Sequence, residues 1–120
     1  MTEHDDAEAK MHELDALFSH VWMVRTFLKH SEEAADDEEL ADVHRGLYDA
    51  MHALGAAYAE GDVDKYFQQA KKKRSKLKAA AELLAEIQPE ISTHMNFKMA
   101  LRSLQHALGK IEALLEDSVG

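Results

Sequence analysis

Residues 11–28 read MHELDALFSHVWMVRTFL, and within them Met11, Leu14, Phe18, Val21, Arg25 and Leu28 recur at alternating steps of three and four. That alternation keeps side chains on one face of an α-helix, so the stretch reads as a helix with one buried stripe. Three further stretches repeat the pattern. Leu40, His44, Leu47, Met51, Leu54 and Tyr58 form a second series, and Val63, Phe67, Ala70, Arg74, Leu77, Ala81 and Leu84 a third. His94, Phe97, Leu101, Leu104, Leu108, Ile111 and Leu115 form the fourth. Four amphipathic helices of similar length, joined by short turns, predict an all-α fold arranged as an antiparallel up-down-up-down four-helix bundle.

The breaks between the stripes carry turn chemistry. Residues 31–39 interrupt the apolar period with six acidic side chains, and Asp36 followed by Glu39 has capping-box spacing. Gly61 suits the left-handed position just past a helix, and Asp62 can cap the next one directly. Pro89 pushes the residue before it out of helical geometry and itself fits a first helical turn, so it marks the third junction. The fourth helix then starts at Pro89, or slightly later with Ser92 or Thr93 as its cap. The expected helices are about 6–30, 37–60, 63–88 and 89–117, with a short tail at 118–120, in one domain over 1–120. Each is about 35–39 Å long at 1.5 Å per residue, and matched lengths let every stripe be covered.

Composition sets the class. With 46% hydrophobic and 31% charged residues in 120, the chain has the balance of a folded globular protein rather than a disordered one. No uncharged run approaches the roughly 20 residues of a membrane span, so no membrane partner is expected. The N-terminus is acidic and polar, unlike a secretory signal or an Arg-rich transit peptide. The absence of cysteine excludes disulfides and thiolate chemistry and is compatible with the cytoplasm, the expected location. The net charge of −9 is uneven: residues 1–64 hold 17 acidic and 4 basic side chains, residues 65–120 hold 6 and 10. The basic excess centres on the run Lys71 to Lys78. On a helix those charges spread around the circumference, with no base-stacking aromatics beside them, so nucleic acid is not the expected partner. They complement the acidic half instead.

Eight histidines raise the question of a metal, but spacing answers it. A dimetal bundle needs Glu-x-x-His on two helices, and the nearest approach is one Asp49-Ala50-Met51-His52. His-Glu-x-x-His, Cys-x-x-Cys-His and a glycine-flanked nucleophilic serine are all missing. The sequence therefore predicts no catalytic residue, no metal and no cofactor, and a protein that is not an enzyme. The charged residues inside the stripes are more informative. Arg25 and Arg74 interrupt the first and third series, and His44 the second. Folding the chain at its turns brings Arg25 level with Asp42, His44 and Arg102, and Arg74 level with Asp49. On one reading the arginines snorkel from the stripe edge and pair with Asp42 or Asp49. On the other, Arg25, His44, Asp49 and Arg74 form a polar layer that binds a cofactor, a metal or, above all, an anion.

The first and fourth helices are also more apolar than a bundle needs. Trp22, Met23 and Phe27 fall on the flank of the first stripe or beyond it, and Met95 and Met99 lie opposite the fourth. As neighbours in the expected topology, these two helices would join their flanks into one apolar patch, the signature of a subunit contact. The function read from the sequence is a non-catalytic, self-associating interaction or regulatory module, most simply a homodimer.

Overall fold

The computed structural model describes residues 3–117, where all regular structure is helical: α1 Glu3–Lys29, α2 Glu32–Asp36, α3 Glu38–Glu60, α4 Val63–Ile91 and α5 Met95–Asp117. The expected tail at 118–120 lies outside the described residues. Each junction is built by a nameable cap. Ser31 receives the Ala34 N–H on its Oγ and opens the single-turn α2 inside the acidic segment. Asp37, rather than Asp36, caps α3, its Oδ1 accepting from Leu40 N at 2.9 Å. Gly61 takes the left-handed conformation (φ 70°) after α3, and Asp62 Oδ1 accepts from Lys65 N at 3.0 Å to start α4.

The third junction corrects the sequence reading. Pro89 does not open a helix; it sits in the last turns of α4, which continues to Ile91. A proline here cannot donate to the carbonyl four residues back and crowds it, so the helix end is secured by other groups. Ser92 N donates to the Gln88 carbonyl at 3.0 Å, and the buried Gln88 amide donates back to the Ser92 carbonyl at 2.8 Å. His94, expected in the fourth stripe, is exposed and acts at the head of α5, where its Nδ1 accepts from Asn96 N at 3.1 Å.

The core takes in the whole stripe of α1 and five of the seven stripe positions of both α4 and α5, and departs most from the stripe of α3. Met11, Leu14, Phe18, Val21, Arg25 and Leu28 are all buried. On α3 the innermost positions are Leu40, Val43, Leu47, Ala50, Leu54 and Ala57, while His44, Met51 and Tyr58 are only half-buried. On α4 they are Val63, Tyr66, Ala70, Leu77, Ala80, Ala81 and Leu84, with Phe67 at the edge and Arg74 exposed. The reason is close approach. α3 and α4 share the most extensive helix contact in the molecule, and a Cβ built on Gly46 would stand 3.7 Å from Ala80 Cβ. Small residues fill that seam, and the bulkier residues one step away are displaced to its flanks.

α1 packs on α3 and α5, α4 packs on the same two, and α1 and α4 touch far less. The chain measures 49 × 22 × 19 Å, a rod about two helices thick. Among the described residues no helix is long and apolar enough to cross a membrane.

Candidate functional site

Trp22 and Arg25 are three residues apart on α1, so they neighbour each other on one face, and Thr26 completes the group at the next position. The Arg25 guanidinium carbon lies 4.6 Å from the Trp22 ring centroid and 4.8 Å from that of Tyr48 on α3. The two ring centroids are 6.2 Å apart, so the rings form a corner around the cation rather than a sandwich. Tyr48 is in turn 5.7 Å from the His52 ring, which extends the aromatic wall along α3. Arg25 is only 8% exposed, whereas Trp22 and Tyr48 are 41% and 38% exposed. The charge therefore sits just beneath the surface, under two rings that reach it.

What holds Arg25 is unusual. No ion pair among the described residues includes it, and its Nε is buried without a hydrogen-bond partner, as is Thr26 Oγ1. Ring faces stabilise the positive charge but accept none of the in-plane N–H bonds. The carboxylates expected to neutralise it lie elsewhere: Asp49 is exposed and pairs with Lys76 of α4 at 3.6 Å, and Asp42 is exposed.

His44 shares this region. Its pKa is lowered from the usual 6.5, chiefly by burial and then by the charges of Arg45, Arg25 and Lys29. Three cations, Arg45, Arg25 and Lys29, bear on His44 although this half of the chain is acidic. The native state thus binds fewer protons at His44 than the unfolded chain does. The stability linked to His44 is complete above pH 6.5 and is lost as pH falls through 6.5 toward its folded value. A His44→Gln variant should therefore lose less Tm than the wild type between pH 7.5 and 5.5. Parallel Tm profiles for the two proteins would show that the imidazole is not penalised in the fold.

The four polar-layer candidates do not meet as one site. Arg25 and His44 lie close enough to repel, but Asp49 faces solvent and Arg74 lines a separate cleft of about 260 Å³ beside Gln105 and Glu112, between α4 and α5. The shifted phase of α4 explains this, because burying Tyr66 and Ala80 turns Arg74 outward. Stripe spacing does not mark Tyr48, but register does: folding at the first turn sets 12 against 58, and the same register sets 22 against 48. Comparison with protein-family models, curated proteins and solved structures gives no match to this chain.

Of the interface candidates, Met23 (64%), Met95 (59%), Met99 and Trp22 are exposed. Phe27 is not; it is half-buried and meets Phe97 edge-on at 5.1 Å, so it belongs to the α1–α5 seam. Acidic residues Glu33, Asp36, Asp37, Glu39 and Glu90 line a cleft of about 320 Å³ near the start of α3. Among the described residues no three metal-ligating side chains converge in a way that would hold an ion.

Proposed function

We propose that this chain is a single-domain, antiparallel up-down-up-down four-helix bundle that serves as a non-catalytic interaction module and pairs with a second copy through the face centred on α1. One observation carries the reading. Among the described residues the large exposed hydrophobics are Trp22, Met23, Tyr48, Met95 and Met99, all on α1 and the two helices that flank it. The diagonal helix α4 contributes none. Its open side carries Lys72, Arg74, Lys76, Lys78, Glu82 and Glu86. An apolar side opposite a charged side is how a surface divides between a covered and a solvated face. Trp, Tyr and Met are also the side chains enriched where protein partners meet.

Register supports the topology half of the proposal. His12 meets Tyr58 and Trp22 meets Tyr48, so numbers rise along α1 as they fall along α3. Phe27 against Phe97 at the α1–α5 seam and Gly46 against Ala80 at the α3–α4 seam fit the same alternation. The absence of cysteine is compatible with the cytoplasm, and a cytoplasmic location is part of the proposal.

Burying one exposed Met or Trp side chain stabilises association by roughly 1.5–3 kcal/mol before ordering costs are subtracted. A two-fold contact counts each residue twice, so a few such side chains suffice. Light scattering at tens of micromolar should return twice the chain mass of 13.5 kDa. The Met23→Lys, Met95→Lys double variant should return the single-chain mass with its helical circular dichroism unchanged, because neither residue touches the core. A wild type that is monomeric at that concentration, or a double variant that stays paired, would sink the proposal.

A further inference from the structure

We propose that Arg25 is the base of a binding site for a small oxyanion, a carboxylate or phosphate group, received at the rim formed by Trp22 and Tyr48. The inference goes beyond self-association, shares with it only the exposure of Trp22 and Tyr48, and requires that pairing through Met23, Met95 and Met99 leave that corner open. A guanidinium needs acceptors in its own plane, and this one is nine-tenths buried with its Nε unbonded. Carboxylates and phosphates both present the paired oxygens that match its edge.

The surroundings suit the same ligand. Thr26 supplies a second buried, unpartnered polar atom, its Oγ1, one position along α1. Lys29 and Arg45 add positive charge near enough to depress the ionisation of His44, and Arg25 itself acts in the same sense. The rings meet the cation as a corner, at 4.6 and 4.8 Å, so neither encloses it from both sides. Both rings are partly exposed, so displacing the edge of either one gives an oxyanion a route to the guanidinium. The bland alternative, a cation neutralised by an internal carboxylate, finds no support: the ion pairs of the described residues all involve other side chains.

The chain carries its own reporter, since Trp22 is its single tryptophan and its ring lies against Arg25. Inorganic phosphate and sodium acetate are titrated separately at fixed ionic strength, balanced with chloride, while Trp22 emission is followed. Saturable change with at least one of them is expected, and which one saturates assigns the ligand to the phosphate or the carboxylate class. Arg25→Met should abolish the saturable phase while keeping helical circular dichroism. Arg25→Lys, which keeps the charge but not the fork, should weaken binding about tenfold. Arg45→Gln, at an exposed position that leaves the core intact, should weaken it about twofold through lost long-range attraction. Emission that follows ionic strength alone in the wild type overturns the proposal. So does a saturable phase that survives Arg25→Met, or one that Arg25→Lys and Arg45→Gln both leave unchanged.

Discussion

Tyr66→Ala is expected to remove about 3–5 kcal/mol of folding stability, the cost typical of truncating a fully buried aromatic side chain. Tyr66 has no exposed surface and lies edge-on to Phe18 at 6.5 Å and to Phe67 at 6.4 Å, with Tyr58 6.0 Å away. It also ties α4 to α1 across the diagonal of the core, since its hydroxyl donates to Asp15 Oδ1 at 3.3 Å. Burial first, and then the Asp15 charge and hydrogen bond, push the phenol well above its usual pKa of 10, so it remains a donor at any physiological pH. Tyr66→Phe keeps the ring and loses only that bond, which should cost about 1 kcal/mol because the half-buried Asp15 can turn to water. Urea unfolding of both variants separates the two contributions. Near-equal losses would mean that the hydroxyl, not the ring, anchors α4 to α1. Domains of this size are stable by only about 5–15 kcal/mol, so the alanine variant should be close to its limit at body temperature.

Tyr66 also marks where the sequence stops being legible. An apolar stripe on α3 and α4 is three residues wide, so two phases fit it: Val63, Phe67, Ala70, Arg74, or Val63, Tyr66, Ala70 and onward through Ala80. Hydrophobicity alone favours the phase that collects bulky side chains. Packing selects the other, because α3 and α4 approach closely only if Ala50, Ala57, Ala70 and Ala80 face inward beside Gly46. That single choice turns Arg74 outward, moves His44, Met51 and Tyr58 to the flank, and separates the four residues of the alternative polar-layer reading. Where one helix face is apolar over a wider arc, as on α1, both phases give the same core and the reading is safe. Pro89 failed for a different reason. Its local preference is real, but the end of α4 is fixed by Gln88 and Ser92, whose side-chain and backbone bonds no spacing rule anticipates. Caps written in a single residue, Asp62 and Gly61, were read directly because their chemistry is local.

The second large effect has the opposite sign. Arg25→Met should stabilise the protein by about 1–3 kcal/mol, although it deletes two cation–ring contacts. Bringing a guanidinium out of water costs several kcal/mol unless carboxylates and hydrogen bonds compensate. Here the compensation comes from Trp22 and Tyr48, worth about 0.5–2 kcal/mol each, while the Nε remains unbonded at a cost of about 1–3 kcal/mol. Methionine matches the aliphatic stem in length, has arginine's helix propensity and adapts its thioether to irregular space between rings. Arg25 occupies a stripe position between Val21 and Leu28, so an apolar side chain there simply completes the core of α1. Denaturant unfolding decides the matter: a loss of more than about 1 kcal/mol would mean that the rings hold the cation more strongly than its burial opposes it. A gain, together with loss of the saturable tryptophan response to phosphate or acetate, would have one physical meaning. A charge that weakens the fold and is needed only when an anion is present is kept for the anion, since residues that serve binding are commonly retained at the expense of stability.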